Sequence, residues 1–412
     1  MGLIAELYPI CRSITGDGLR QTLEIIRRTV PIEIHAVPSG TPVLDWTVPA
    51  EWNVKDAYVA IGGKRVIDFQ QSSLHLMSYS VPVHARMSLA ELRPHLHTLP
   101  EHPDWIPYRT GYYSPTWGFC LRHRDYLALA EGEYEVVIDS SLEDGHLSYG
   151  ELYLPGDDED ADEVLLTTHV CHPSLCNDNL SGIAVLASLA EALSAVRRRL
   201  SYRILFIPGT IGAITWLARN RDRVARIRHG LVLAGVGDRG PITYKRSRRG
   251  TAEIDRAVQL VLHSAGVEHR IRDFAPYGYD ERQFCSPGFD LPVGRFSRSE
   301  YGTYPEYHTS ADDLSFVSAA SLADSHATLL RVLAVLEGNA TWVNQSPYGE
   351  PQLGRRGLYN GDDLMPLLWV LNLSDGRHSL LDIAERADLP FEAVQRAAEA
   401  LSGAGLLSPP KK

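Results

Sequence analysis

Two imidazoles, two thiols and a carboxylate lie within ten residues, in the segment His169-Val-Cys-His-Pro-Ser-Leu-Cys-Asn-Asp178. The segment starts where a run typical of a buried strand ends, and it finishes where an apolar helix begins. Loops in this position often supply the three protein ligands of a zinc site, while water holds the fourth position. We therefore expect His169 and Asp178 to converge on one ion. The alternative is that the acidic and amide side chains cap the helix while the histidines and thiols pack in the core.

A second polar segment follows later in the chain, Tyr304-Pro-Glu-Tyr-His-Thr-Ser-Ala-Asp-Asp313, and it places His308 beside carboxylates. Between the two segments, residues 277–284 form a polar string that includes Asp280, Glu281 and Arg282. Taken alone, this string is typical of a surface salt-bridge patch, and His308 is typical of a loop histidine. The two histidine segments together strengthen the prediction of a metal site.

Aromatic residues near these segments indicate the type of ligand. A polar aromatic lining suits a peptide, an amino acid or a sugar-bearing ligand. We expect Tyr307 and Trp117 to contact the substrate, and Arg282 or Arg298 to hold a carboxylate on it. The alternative is that many of the tyrosines pack at the boundary between two domains.

Strand-like and helix-like segments alternate after residue 163, which predicts an α/β domain with a mainly parallel, helix-covered sheet. An amphipathic helix is predicted at 17–30 and an apolar helix at 180–196, and the buried-strand runs are 164–168, 202–207, 231–236 and 291–296. Ligands bind beyond the carboxyl ends of parallel strands. The residues that follow Thr168, Ile207 and Phe296 should therefore form the site.

Changes in sequence pattern divide the chain into three domains. Residues 1–45 and 150–345 form the predicted α/β domain, and short β-rich runs with turn residues make 46–149 a small inserted domain with one helix at 88–96. Residues 349–356 are typical of a linker. Three short helices with tight turns follow and predict a winged-helix domain over 352–412; they lie at 364–370, 379–387 and 391–401.

The 412-residue chain has an ordinary globular composition, with 44% hydrophobic and 22% charged residues. No apolar stretch approaches the roughly 18 residues of a membrane span, and we expect no secretory signal. Five scattered cysteines favour free thiols in the cytoplasm. A formal charge of −11 disfavours nucleic acid as a partner. The last predicted helix also offers Glu392 and Glu399 against Arg396, so we expect this domain to pack on the core, to bind a protein partner or to support a homo-oligomer.

The segments HVCHPSLCNDNLSG and YPEYHTSADDL together resemble the zinc aminopeptidase superfamily, whose fold is shared by co-catalytic zinc exopeptidases and mononuclear glutaminyl cyclases. More closely, the chain is similar to a bacterial family with an aminopeptidase-like domain of unknown function. This resemblance covers most of residues 10–320 and is also carried by RSITGDGLRQTL, DWTVPAEWNV, WGFC, IPGTIG and DERQFCSPGFDLPVG. It implies a three-layer α/β sandwich, an insert similar to a protease-associated domain, and a C-terminal winged helix.

The resemblance also implies roles for individual residues. His169 and His308 match the first and last zinc histidines, and Asp178 matches the carboxylate that bridges two metals in dinuclear members. Gly209-Thr210 stands where aminopeptidases carry two adjacent glutamates, and Ala234 stands where dinuclear enzymes carry an aspartate ligand. These departures leave enough ligands for one ion per chain. Zinc is the expected metal, although iron also suits a site of two histidines and one carboxylate.

A glycine at position 209 cannot accept a proton, so the general base must come from elsewhere. We assign Glu281 to this role, with a substrate carboxylate as the alternative, and Asp280 as a further candidate metal ligand. The predicted function is a metal-dependent hydrolase that cleaves an amide bond in a small peptide-like or modified natural-product substrate. The alternatives are a zinc-dependent cyclase or acyl transferase, and a ligand-binding protein that has lost catalysis. A transcription factor is the weakest alternative.

Overall fold

The computed structural model describes residues 1–359 and 364–410. Its helices are α1 (Gly2–Leu7), α2 (Asp17–Arg27), α3 (Leu89–Leu92), α4 (His123–Leu127), α5 (Gly182–Ser194), α6 (Ile211–Arg219), α7 (Glu253–Ser264), α8 (Glu281–Phe284), α9 (Ala319–Gly338), α10 (Leu364–Leu373), α11 (Leu380–Ala387) and α12 (Phe391–Gly403). Its strands are β1 (Glu33–Pro38), β2 (Pro42–Val43), β3 (Trp46–Thr47), β4 (Glu51–Ile61), β5 (Lys64–Asp68), β6 (Val83–Ser88), β7 (Leu96–His97), β8 (Phe119–Cys120), β9 (Glu133–Glu143), β10 (His146–Leu154), β11 (Glu163–His169), β12 (Ser201–Ile207), β13 (Ile227–Leu233), β14 (Ile242–Lys245), β15 (His269–Arg272), β16 (Val293–Ser297), β17 (Thr341–Asn344), β18 (Asp375–Ser379) and β19 (Leu407–Ser408).

An eight-stranded mixed sheet forms the centre of the large domain, in the order β1-β10-β12-β11-β13-β16-β14-β15. The central strands β12, β11, β13 and β16 are parallel to one another. The sheet as a whole is less parallel than the sequence predicts, because the pairs β1–β10, β10–β12 and β14–β16 are antiparallel. Parallel neighbours need a crossover connection, and the crossover helices of this domain serve the central strands.

Buried apolar side chains cover both faces of this sheet, which explains the continuous hydrophobic runs of its central strands. In β11, Val164 and Leu166 pack in a core with α2, α5, α7 and α9, whereas Leu165 belongs to a second core with α6 and the insert. The result is the predicted three-layer sandwich. Helix α9 is long and apolar enough to cross a membrane, but half of its most apolar stretch is buried, and it packs on α5 and α7.

The insert is built on a four-stranded antiparallel sheet in the order β5-β4-β9-β6. The predicted helix at 88–96 is shorter in the structure, where α3 starts with a capping box between Ser88 and Glu91 and gives way to a 3₁₀ turn at Arg93–His95. The sequence pattern places residues 146–149 in the insert, but they form the start of β10 in the main sheet. The chain therefore passes from the last strand of the insert, β9, directly into β10 of the large domain.

The C-terminal domain consists of α10, α11, α12 and a three-stranded sheet in the order β18-β17-β19. Its central strand, β17, lies within the range that the sequence assigns to the large domain, so the C-terminal domain begins earlier than predicted. Arg256 on α7 donates hydrogen bonds to Asp382 at 2.6 Å and to Glu385 at 2.9 Å on α11. Apolar side chains of both domains also share one core. The winged helix is thus packed firmly on the large domain.

Candidate metal centre

The carboxyl ends of the central strands meet at a cavity of about 390 Å³. His169 is the last residue of β11, and Gly209 follows β12; both line this cavity. His308, in the loop after β16, lines it as well. Asp178 lies in the turn Cys176–Ser181, which leads from the first loop into α5. The strand ends therefore deliver polar residues to one place, as the sequence predicts.

Asp178 is the residue on which the imidazoles converge. Its Oδ1 atom lies 2.8 Å from Nε2 of His169, and its Oδ2 atom lies 2.9 Å from Nε2 of His308. Asp178 is fully buried, and His169 is 2% exposed. Burial alone would raise the pKa of Asp178, but the surrounding imidazoles, including His172, hold this pKa well below its usual range. The carboxylate is therefore charged at neutral pH and suited to bind a cation.

His172 is a further donor that the sequence analysis leaves out of the ligand set. Its Nε2 atom lies 3.9 Å from Oδ2 of Asp178, and ligand atoms of His169, His172 and Asp178 all lie within 4.8 Å of one another. Burial lowers the pKa of His172 to about 3, so the ring is neutral and keeps a lone pair for a metal. Nε of the buried Arg12 donates a 3.0 Å hydrogen bond to the His172 carbonyl. The His-x-x-His spacing of residues 169 and 172 is the sequence signal that could have identified His172 as a candidate ligand.

Asp312 ties the two sequence segments together. Its Oδ1 atom accepts a 2.6 Å hydrogen bond from the backbone N–H of Asn177, and its Oδ2 atom accepts a 2.9 Å bond from the N–H of Asp178. On the other side of the turn, Nδ2 of Asn179 lies 3.2 Å from Nδ1 of His169. The Asn-Asp-Asn run therefore holds the turn that aims the Asp178 carboxylate at the histidines.

Aromatic rings pack against the ligand histidines. Tyr279 stacks on His169 with ring centroids 5.1 Å apart, and Tyr307 stacks on His308 at 4.0 Å. Tyr108, from the insert, meets the His308 ring edge-on at 5.1 Å, and its backbone N–H donates a 2.8 Å hydrogen bond to the His308 carbonyl. The insert thus supplies one wall of the cavity and restrains the loop that carries His308.

The insert residues in this wall are Tyr108, Arg109, Thr110 and Tyr112. They lie there because segment 106–110 pairs with the loop around Thr309, through a bridge between Pro107 and Thr309 and backbone hydrogen bonds on either side. Sequence reasoning missed Tyr108 and Arg109, since pairing between such distant segments leaves no local pattern.

Asp280 lines the same cavity. Its Oδ1 atom accepts a 2.6 Å hydrogen bond from the backbone N–H of Thr210, a residue with a φ of 61°. Its second oxygen has no hydrogen-bond partner among residues 1–359 and 364–410. Burial raises the pKa of Asp280 to about 6. The geometry therefore offers one fixed and one available carboxylate oxygen beside the predicted metal ligands.

Glu281, the predicted general base, lies elsewhere. It is fully buried, it does not line the cavity, and its Oε1 atom accepts a 2.8 Å hydrogen bond from Nζ of Lys245. Lys245 is only 4% exposed, so the pair is an internal ion pair of the large domain. The structure therefore moves the candidate base from Glu281 to its neighbour Asp280.

One of the predicted substrate contacts lies at the cavity and a second lies next to it. Tyr307 lines it directly. The Arg282 guanidinium carbon lies 5.6 Å from the centroid of the Tyr277 ring, which is part of the lining. Arg282 itself does not line the cavity, because the Tyr277 ring lies between its guanidinium and the lining.

Arg298 and Trp117 are not in the lining of the cavity. The Arg298 guanidinium donates hydrogen bonds to the Gly240 carbonyl at 2.8 Å and to Asp324 at 2.9 Å. Trp117 stacks on His95 within the insert at a centroid distance of 3.5 Å. The structure therefore does not place Arg298 or Trp117 in contact with a substrate in this cavity. Their side chains are held by other residues that the sequence pattern does not reveal.

The donor set suits a zinc ion. Imidazole and carboxylate are usual zinc ligands, with bonds of about 2.0–2.2 Å and hence roughly 3.3 Å between neighbouring donors of a tetrahedron. The separations of 2.8 and 2.9 Å from Asp178 to His169 and His308, and of 3.9 Å to His172, lie on both sides of that value. The chemistry of these residues therefore suits zinc, and the ligand atoms of His169, His172 and Asp178 are the ones that lie within 4.8 Å of one another.

Comparison with known structures defines the fold of the large domain. Zinc aminopeptidases share the fold: BSAP from Bacillus subtilis matches with a TM-score of 0.58 at 12% identity over 81% of this chain and 93% of that one. An aminopeptidase from Aneurinibacillus sp. strain AM-1 matches with a TM-score of 0.52 at 14% identity over 82% of this chain and 92% of that one. The large domain thus has the aminopeptidase-like fold that the sequence resemblance implies.

Closer relatives define the family. Residues 1–339 match the family described as a domain of unknown function (DUF4910), and residues 340–409 match a winged helix-turn-helix family. A Clostridium acetobutylicum protein, provisionally named a polysaccharide biosynthesis protein with an aminopeptidase-like domain, is 54% identical over 98% of this chain and 95% of its own. A crystal structure from the same organism, of a provisionally named peptidase, is 53% identical with a TM-score of 0.96 over 99% of this chain and 95% of that one. The chain belongs to the DUF4910 family and carries a C-terminal winged helix.

Proposed function

We propose that this protein is a zinc-dependent hydrolase of the aminopeptidase type, which cleaves an amide bond in a small peptide-like or modified natural-product substrate. The observation that carries the proposal is the meeting of His169, Asp178 and His308 at a cavity lined by tyrosines. The fold shared with zinc aminopeptidases supports it. The relative provisionally named for polysaccharide biosynthesis favours including amides of amino sugars among the substrates.

His169, Asp178 and His308 would hold one zinc ion per chain, with His172 beside them. When bound, zinc supplies a Lewis acid that polarises the amide carbonyl and lowers the pKa of water. Asp280 accepts the proton of the attacking water through the oxygen that Thr210 leaves free. A positioned general base of this kind contributes roughly 10²- to 10⁴-fold to the rate.

Cys171 lies beside this site but does not serve as a nucleophile. Burial raises the pKa of its thiol to about 12, so the reactive thiolate is absent at neutral pH. The N–H of Gly209 donates a 3.2 Å hydrogen bond to its Sγ atom. Cys171 therefore acts as packing for the Gly209 loop, and water remains the nucleophile.

Gly209 favours a second candidate function. It lines the cavity where the resemblance places the glutamate base of aminopeptidases. A protein without that base could retain the metal and the pocket as a zinc-dependent cyclase or acyl transferase, or as a ligand-binding protein. Turnover of an amide substrate separates the first proposal from these.

Elemental analysis combined with an amide-hydrolysis panel tests the proposal. We expect about one zinc per chain in the wild type and in His326→Ala, a control on α9 whose imidazole bonds to Ser188, and little zinc in His169→Ala. We expect the wild type and the control to hydrolyse members of a panel of aminoacyl anilides and N-acylated amino sugars. Absence of metal from all three proteins after zinc loading would contradict the metal site. One zinc without turnover of any member would favour the second candidate.

For the C-terminal domain we propose a role in binding a protein partner or a second copy of the chain, without nucleic acid. The ion pairs from Arg256 to α11 support a packed, rather than a free, domain. We also propose a cytoplasmic location, which the five free cysteines favour. A gel-shift assay at low salt that detects duplex DNA binding would contradict the first of these proposals.

A further inference from the structure

Arg109 belongs to the wall of the cavity, and no carboxylate of the described chain neutralises its charge. Among the described residues of the lining, it is the sole lysine or arginine. Its guanidinium forms no ion pair and no side-chain hydrogen bond with the part of the chain that the structure describes. Two other basic residues of the large domain are neutralised, since Lys245 pairs with Glu281 at 2.8 Å and Arg295 pairs with Glu300 at 3.3 Å.

The backbone around Arg109 is held firmly next to the metal ligands. Its carbonyl accepts a 2.9 Å hydrogen bond from the N–H of Ser78, and the N–H of Gly111 donates a 2.8 Å bond to the Ser78 carbonyl. The preceding residue, Tyr108, is bonded to the His308 carbonyl at 2.8 Å. The Arg109 backbone is therefore held at a fixed point on the cavity wall, while its side chain remains exposed and accessible to a ligand.

We infer that Arg109 binds a negatively charged group, a carboxylate or a phosphate, on the substrate. A guanidinium suits both, because its planar fork forms two parallel N–H bonds with either group. This inference rests on the proposed function and narrows its substrate to amides that carry an anionic substituent. It also makes the insert, which supplies Arg109, the part of the molecule that selects the substrate.

The rest of the lining is compatible with such a substrate. Asp280 is held beside the metal ligands by Thr210, whereas Arg109 lies on the insert side. The remaining surface consists largely of tyrosines, whose rings and hydroxyls suit the uncharged body of a ligand. A neutral substrate would leave the Arg109 charge without a partner inside the cavity.

Matched hydroxamates test the inference on the zinc-loaded protein. Each pair has a hydroxamate to bind the metal and an alkyl chain that ends in either a carboxylate or a primary amide, over a series of chain lengths. Titration calorimetry gives the two dissociation constants. At the best length, we expect the wild type to prefer the carboxylate by about ten- to a hundredfold, the range for hydrogen bonds to charged groups. Phosphonates of the same lengths show which anion is preferred.

The variants assign this preference to one residue. Arg109→Gln should lose the preference while its affinity for the amide member stays unchanged, and Arg109→Lys should retain part of it. Arg86→Gln is the matched control, because Arg86 is an exposed arginine of the insert paired with Glu133. An equal preference in the wild type and Arg109→Gln, or none in the wild type, would overturn the inference and leave the metal site intact. Failure of every hydroxamate to bind the wild type would overturn the proposed function and this inference with it.

Discussion

The Nε2 atom of His308 lies 2.9 Å from the Oδ2 atom of Asp178, although 130 positions separate the two residues in the chain. The contact exists because Asp312, four residues after His308, binds the backbone of the Asp178 turn with both carboxylate oxygens. The two sequence segments are therefore joined twice, once by the candidate ligands and once by the residue that positions them. A metal ion at this point would be held by segments already fixed relative to each other.

His172 is predicted to strengthen metal binding without being essential for it. Its Nε2 atom is 3.9 Å from Asp178, further away than those of His169 and His308. We expect His172→Asn to weaken zinc affinity by roughly 10- to 100-fold, as measured by competition with a fluorescent chelator. His326→Asn on α9 serves as the control. An unchanged affinity would exclude His172 from the ligands and leave His169, Asp178 and His308.

Asp280 is predicted to move a proton rather than to bind the metal. Asp280→Asn should keep about one zinc per chain and lower kcat by roughly 10²- to 10⁴-fold, because the amide cannot accept a proton. The exposed Asp273, which pairs with Arg246 at the surface, provides the control Asp273→Asn. Loss of zinc from Asp280→Asn, shown by elemental analysis, would instead make Asp280 the additional ligand that the sequence analysis assigns.

Gly209 is predicted to accept a glutamate that takes over the role of the base. A Cβ atom there would lie 3.3 Å from Sγ of Cys171 and 3.7 Å from Cβ of His169, so a side chain needs only a small adjustment. In the Asp280→Asn background, Gly209→Glu should raise the hydrolysis of aminoacyl amides at least about tenfold, whereas Gly209→Ala should not. Equal rates for the two second-site variants would show that position 209 cannot supply a base.

Glu51 is predicted to stabilise the junction between α2 and the insert in a pH-dependent way. Hydrogen bonds from Arg20 at 2.6 and 2.8 Å lower the pKa of Glu51 from 4.5 to about 2. Because the folded pKa lies below the unfolded one, this stabilisation is present above about pH 4.5 and is lost as the pH falls towards 2. Glu51→Gln should therefore reduce the free energy of unfolding by about 2 kcal/mol at pH 7, and by progressively less below pH 4.5.

Urea unfolding followed by tryptophan fluorescence, at several pH values between neutrality and pH 3, measures this difference. Glu143→Gln is the matched control, since Glu143 stands opposite Glu51 in the β4–β9 register and forms no ion pair within the described chain. A stability difference between wild type and Glu51→Gln that does not change with pH would contradict the assignment to the carboxylate charge.

Local patterns were sufficient for most elements around the site. The amphipathic helix predicted at 17–30 is α2, and the helix predicted at 180–196 is α5, where apolar spacing and length leave little choice. The buried runs at 164–168 and 202–207 are the central strands β11 and β12. The sequence does not predict strands β14 and β15, because a strand of 4 residues lacks a long apolar run.

The sequence by itself determined the aminopeptidase-like fold, the C-terminal winged helix and the convergence of His169, Asp178 and His308. Hydrophobic periodicity predicts the strands and helices, and the motif at a strand end brings His169 and Asp178 together. The aminopeptidase-like fold and the role of His308 are implied by the resemblance of the motifs to the zinc aminopeptidase superfamily. The tertiary structure alone decided that Glu281 pairs with Lys245, that Asp280 faces the cavity, and that Arg109 reaches it from the insert. These outcomes depend on which distant segments pack together. Asp280 and Glu281 are adjacent carboxylates that the sequence cannot distinguish, and only their different neighbours in the folded protein give them different roles.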